Sequence, residues 1–229
     1  AAEKNDSGMH GVAYNASIIP IKVFKDDATA VSSMNLGIDY ATDNGAIALN
    51  NSWGTARAVN ATCSGISCYV VVPAESSTGG FTSAERTSWA GVATDNNVVV
   101  FAAGNEGMNN ANGRVKAYRS SNDAYLTYYS AQVVVDALSG IDYANRSSPE
   151  ARYGANVSAV EDNWLNVIAV DSSNTIATYS NGCGDTKAYC IAAPGTEIYS
   201  TLPTDLDSDG FGTMSGTSMA APHVAAAVA

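Results

Sequence analysis

Residues Val98-Val99-Val100-Phe101 form an apolar run without alternation, and they follow directly on Ser83 to Thr94, a segment of helical character. A strand with no polar face is buried on both sides, which is the habit of parallel sheets covered by helices. The same order occurs upstream. Ser17 to Phe24 (SIIPIKVF) reads as a strand, and Val31, Met34, Ile38 and Ala41 recur at spacings of three, four and three, one buried helix face. Asp27 or Thr29 can cap that helix and Gly45 can end it, after which Ala46 to Asn50 is again apolar. Strand, helix and strand repeated in this way predict an α/β fold, a three-layer, doubly wound, mostly parallel sheet.

Two stretches break the rhythm. Thr55 to Thr82 is rich in Ser, Thr and Gly, and Met108 to about Ser147 is rich in Asn, Ser and Tyr; both read as surface insertions. Regular structure is expected again at Asn166 to Val170 and Thr175 to Ser180, and Ser218 to Ala229 reads as an Ala-rich helix. The 229 residues fit one domain, 1–229, with no internal repeat.

Charge narrows the partners. With 22 acidic against 11 basic side chains, a formal net charge of -11 repels phosphate backbones and anionic lipid, so neither nucleic acid nor a membrane surface is an expected partner. No stretch reaches the roughly 20 apolar residues of a membrane span, and a monomer is expected. The four cysteines fall in two close pairs, Cys63 with Cys68 and Cys183 with Cys190, neither at the spacing of a zinc site. Two local disulfides are the preferred reading over four buried thiols. Closing loops this short is worth about 2 to 2.5 kcal/mol each on the chain-entropy model, and such bonds belong to an oxidising compartment.

In open parallel sheets, ligands bind beyond the carboxyl ends of the strands. Two loops leave such ends: Asn51-Ser52-Trp53-Gly54 and Ala102-Ala103-Gly104-Asn105-Glu106-Gly107. A third segment, Gly212 to Thr217, delivers Ser218 to the start of the last helix. Free N–H groups and aligned peptide dipoles at a helix start favour negative charge, and would stabilise an oxyanion forming beside the Ser218 hydroxyl.

At these segments the chain resembles the subtilase family of subtilisin-like serine peptidases. Gly216-Thr217-Ser218-Met219-Ala220-Ala221-Pro222-His223-Val224-Ala225 resembles the family's nucleophile signature, residues 102–107 its oxyanion-hole segment, residues 51–54 its substrate-pairing segment, and Gly11 to Ala16 a further landmark. The four blocks stand in family order along nearly the whole chain. The resemblance implies a serine endopeptidase that hydrolyses peptide bonds through an acyl-enzyme on Ser218, with Asn105 as oxyanion donor. It also implies that Ser52, Trp53 and Gly54, with Ala102, Ala103 and Gly104, line the primary specificity pocket. Polypeptides are then the substrates, no cofactor takes part in the chemistry, and secretion or display outside a bacterial cell is expected; the Cys183 to Cys190 loop is similar to that of autotransporter-type subtilases.

A serine hydroxyl needs a base, and the base needs a third group to orient it. Only two histidines are present. His223 lies five residues after Ser218, about 7.5 Å along the helix and about 140° around it, out of reach. His10 echoes the family's catalytic motif, but the Tyr14-Asn15-Ala16 that follows places it in the later landmark. The catalytic His and Asp are therefore expected upstream of Ala1, and this chain alone is expected to be inactive. The competing reading is a subtilase relative that kept its cleft as a peptide-binding module. An α/β-hydrolase would need Gly at the position of Ala220.

Weaker signals have two readings each. Glu3, Asn5, Ser7 and Met9 match a calcium-binding loop of many subtilases by position, or form a polar terminus. Glu106 either draws basic substrate side chains or is a solvated rim carboxylate, and Trp53 either narrows the pocket or packs beneath its loop.

Overall fold

The computed structural model describes residues 4–5, 8–25, 33–53, 59–64, 67–71, 81–105, 117–118, 160–183 and 186–229. Its first helix, α1, runs Met34–Asp43 and buries Met34, Ile38 and Ala41, the periodic residues of the sequence. Gly45 ends it in the left-handed conformation at φ 77°, and Ala46 N–H then bonds Ala41 O at 3.0 Å. The proposed caps Asp27 and Thr29 lie outside the described residues; the observed N-cap is Ser33, which makes no side-chain capping bond.

Strand β1 (Ala48–Asn51) follows. A hairpin comes next, β2 (Val59–Ser64) against β3 (Ser67–Val71), in a stretch where composition predicted only an insertion. Cys63 lies opposite Cys68 in its register. Helix α2 (Ser83–Thr94) starts in a capping box, with Thr82 Oγ1 accepting from Glu85 N–H and the Glu85 carboxylate accepting from Thr82 N–H. It closes on Asn96 at φ 57°, and Asn97 N–H returns to Val92 O. Strand β4 (Val98–Ala102) contains the non-alternating run, β5 is the two-residue Ala117–Tyr118, and β6 is Trp164–Val170. Beyond it come β7 (Cys190–Pro194), the hairpin β8 (Ile198–Thr201) and β9 (Phe211–Met214), and the terminal helix α3 (Thr217–Val228).

The main sheet has the order β1-β4-β6-β7 and every pairing in it is parallel. Its two faces explain why Val98 to Phe101 lacks alternation. Val99 and Phe101 point into a cluster with α1 and α2, where Trp89 and Trp164 are also buried. Val100 and Ala102 point into a second cluster with Ala220, Ala221 and Val224 of α3. Helices, sheet and helix thus make three layers, the doubly wound architecture expected. The first cluster is aromatic: Phe101 stacks on Trp164 with centroids 5.0 Å apart, and Trp89 meets Trp164 edge-on at 5.4 Å. The second is built of small side chains, so α3 lies close to the sheet.

One predicted strand and one stretch of predicted regular structure differ from expectation. Ser17 to Phe24 is extended, but only Phe24 takes part in a β-bridge; Ile21 and Val23 instead pack beneath α1, where Gly37 leaves space that a Cβ would fill at 2.7 Å from Ile21 Cγ2. Thr175 to Ser180 forms one bridge, Ile176 to Val170, and otherwise turns. Apolar content alone does not make a strand, which needs a neighbouring backbone, and Ile18 and Ile176 lie exposed.

Candidate active site

Parallel pairing decides which loops meet. Asn51 of β1 stands opposite Phe101 of β4, and Ala102 of β4 opposite Val167 of β6, so residues 51–53 and 102–105 emerge from one edge of the sheet. The second loop is held from several sides. Ala103 N–H donates to Val167 O at 2.9 Å, the buried Asn181 amide donates to Ala103 O at 3.1 Å, and Asn181 N–H donates to Gly104 O at 3.0 Å. Gly104 sits at φ 105°, a conformation open to glycine and costly for a side chain.

The start of α3 reaches the same edge through Gly195, just after β7. Gly195 N–H donates to Val170 O at 3.0 Å, and Gly195 O accepts from Gly216 N–H at 2.8 Å and from the Tyr179 hydroxyl at 2.7 Å. A Cβ on Gly195 would stand 2.6 Å from Ala169 Cβ and 2.8 Å from Gly216 O, so only glycine lets the strand end and the helix start approach this closely.

These supports bring Thr217, Ser218 and Asn105 together. Thr217 is fully buried; its N–H and its hydroxyl donate to Asn105 Oδ1 at 2.8 and 3.0 Å, and the hydroxyl accepts from Gly104 N–H at 3.1 Å. Two donors on Oδ1 fix the amide and leave Nδ2 as its donating end. A Cβ on Gly216 would lie 3.5 Å from Met219 Sδ and 3.6 Å from both Asn105 Nδ2 and Ser218 N, so the two nitrogens stand beside one point at the start of the helix. Ser218 N–H is among the first donors of the helix, which have no intrahelical partner. Two neighbouring N–H donors at a positive helix end suit an oxygen that gains negative charge.

The half-buried Ser218 hydroxyl donates to Ser52 O at 3.1 Å, and the Ser52 hydroxyl donates to Ser218 O at 2.9 Å. Neither histidine bonds Ser218. His223, out of reach as its spacing predicted, donates from Nδ1 to Met219 O of its own helix at 2.9 Å, and the exposed His10 meets Tyr14 edge-on at 6.1 Å. Trp53 packs beneath its loop: its ring lies edge-on to Phe101 at 5.2 Å and Phe24 at 5.7 Å, and its Nε1–H donates to Asn51 Oδ1 at 3.2 Å.

Gly54, Glu106, Glu3 and Ser7 lie outside the described residues; Asn5 is exposed and Met9 half-buried. Among the described residues, no group of three or more His, Cys, Asp or Glu side chains is placed to hold a metal ion. Cys183 and Cys190 form a disulfide with Cα atoms 5.7 Å apart. It closes a loop whose Thr186 hydroxyl accepts from the buried Asn166 amide of β6 at 2.6 Å. Thr217, Asn181, Gly195 and Tyr179 had no assigned part in the sequence reading. A Thr directly before the serine and a Gly after Pro194 were visible there, but their partners are 112 and 21 residues distant in the chain.

The model of the Subtilase family matches residues 1–229, the whole chain. The chain belongs to the Subtilase family. This subtilase is 28% identical over 254 residues to an extracellular serine protease of Serratia marcescens, covering 98% of the chain and 22% of that protein. It is 27% identical to subtilisin DY of Bacillus licheniformis, covering all of the chain and 58% of that protein. Among solved structures, the patellamide maturation protease PatA superposes with a TM-score of 0.59 at 20% identity, over 98% of the chain and 60% of PatA, which confirms the subtilisin-like fold. The subtilase chain spans less than two thirds of each of these proteins.

Proposed function

We propose that the protein carrying this chain is an extracellular serine endopeptidase acting on polypeptides, with Ser218 as nucleophile. The observation that carries this reading is the Asn105 amide, locked by Thr217, whose Nδ2 lies with Ser218 N beside one point at the start of α3. In the reaction, a base removes the Ser218 proton and Oγ attacks the substrate carbonyl carbon. The carbonyl oxygen becomes an oxyanion and accepts from Asn105 Nδ2 and Ser218 N–H. The amine leaves with a proton from the base, and water then hydrolyses the Ser218 ester.

Because neither histidine bonds Ser218, the base and its orienting carboxylate are assigned to sequence outside this chain. Ser52, Trp53 and Gly54 with Ala102, Ala103 and Gly104 are assigned to the substrate cleft, Trp53 from beneath its loop. Secretion is supported by the Cys183–Cys190 disulfide and by the relative named as extracellular. Glu3, Asn5, Ser7 and Met9 are assigned, by residue type and position in the sequence, to a structural calcium site that plays no part in the chemistry.

The test is cleavage of an unstructured protein substrate by the full-length protein and by its Ser218→Ala variant. Loss of cleavage in the variant supports the reading. A full-length protein that binds peptides without cutting them would favour the binding-module alternative, which the resting bond of the Ser218 hydroxyl to Ser52 O also fits.

A further inference from the structure

Helix α3 contains a proline, Pro222, four residues after Ser218. Proline has no N–H, so Ser218 O lacks the donor that residue 222 would supply in a regular helix. A carbonyl at a half-buried site needs another partner. The partner comes from the far side of the cleft: the Ser52 hydroxyl donates to Ser218 O at 2.9 Å. That hydroxyl is itself oriented by Asn50, whose Nδ2 donates to it at 3.0 Å.

We infer that Ser52 is a positioning residue, whose hydroxyl occupies the carbonyl that Pro222 vacates and so ties the backbone of the nucleophile to the end of β1. The role is separate from any contact of Ser52 with substrate. Residues 51–53 leave β1, and Ser218 stands in the first turn of α3; among the described residues, this hydrogen bond and its return from Ser218 Oγ to Ser52 O link the two. Pro222 and Ser52 then act as a pair. With an N–H at 222 the carbonyl would have a helical donor of its own, and the Ser52 hydroxyl would be a second donor rather than its replacement.

The inference rests on Ser218 being the nucleophile, and the experiment separates the two. In the full-length protein, kcat, KM and the rate of fluorophosphonate labelling are measured for the parent, Ser52→Ala, Ser52→Thr, Pro222→Ala and the double variant Ser52→Ala/Pro222→Ala. One neutral hydrogen bond of about 1 kcal/mol corresponds to about fivefold in rate. Ser52→Ala is expected to lower kcat and labelling by about that factor with KM little changed, while Ser52→Thr, which keeps the hydroxyl, restores most of the loss. In the Pro222→Ala background, where the restored N–H takes the carbonyl, Ser52→Ala is expected to have little further effect. A rise in KM at unchanged kcat, or the same loss in both backgrounds, overturns the positioning role. Should Pro222→Ala fail to fold, the Ala and Thr variants of Ser52 decide through the kcat and KM split alone. A parent protein that is not labelled at Ser218 overturns the peptidase reading, and this inference with it.

Discussion

Thr217 holds Asn105 by two hydrogen bonds to one oxygen, from its N–H at 2.8 Å and its hydroxyl at 3.0 Å. A side-chain amide can turn over or swing; pinned at Oδ1, it can present only Nδ2 to a ligand. The geometry places this donor before any substrate arrives, so no reorganisation is needed as charge develops.

Asn105→Ala should therefore act on turnover and leave binding nearly intact. The expected fall in kcat is about 10²- to 10³-fold, a magnitude taken over from the equivalent donor of a subtilisin, itself a relative of this chain. Steady-state kinetics of the full-length protein checks it. An effect confined to KM would remove Asn105 from the oxyanion site.

Thr217→Val keeps the shape and removes the hydroxyl, leaving Gly104 N–H without its acceptor and Asn105 with one donor. A buried group left unsatisfied costs about 1 to 3 kcal/mol, so a lower melting temperature is expected together with a reduced kcat. Thr217→Ser should restore both. Calorimetry alongside kinetics tells the two losses apart.

Gly195→Ala tests the joint between β7 and α3. The added methyl would meet Ala169 Cβ and the carbonyl of Gly216, and overpacking of this kind typically costs about 1 to 3 kcal/mol. Because Gly216 O caps the helix through Met219 N–H, the strain falls at the site, and activity should drop more than stability does. Equal activity at reduced stability would show that the start of α3 tolerates movement.

Much of this was legible from local sequence. Val98 to Phe101 announced a strand covered on both sides, and Met34, Ile38 and Ala41 marked the buried face of α1. Ser218 and Asn105, the proposed nucleophile and amide donor, could be named from sequence because each stands in a short contiguous motif. What sequence could not supply were relations across the chain. Ser17 to Phe24 carries the composition of a strand, yet whether a neighbouring backbone pairs with it is not written in those residues. Asn181, which anchors Ala103 and Gly104, looks like an ordinary loop residue until the fold brings it to them from 78 positions away. Pro222 is conspicuous in the sequence, but its meaning depends on Ser52, which sits 166 residues from the carbonyl it serves.

The disulfide between Cys183 and Cys190 encloses few residues, and its removal should cost about 2.5 kcal/mol. Thermal unfolding of Cys183→Ser/Cys190→Ser against the parent, with and without reductant, measures this. A smaller effect of reductant on the double variant than on the parent is expected; an equal effect on both would mean the Cys183–Cys190 bond adds nothing to stability.

The central claim is that Ser218 is a chemically activated hydroxyl. The full-length protein is treated with a fluorophosphonate and digested, and the adduct is located by mass spectrometry. A single modified peptide with the adduct on Ser218, and no labelling after Ser218→Ala, is expected. Labelling that persists in that variant, or a parent protein that takes up no reagent, would contradict it.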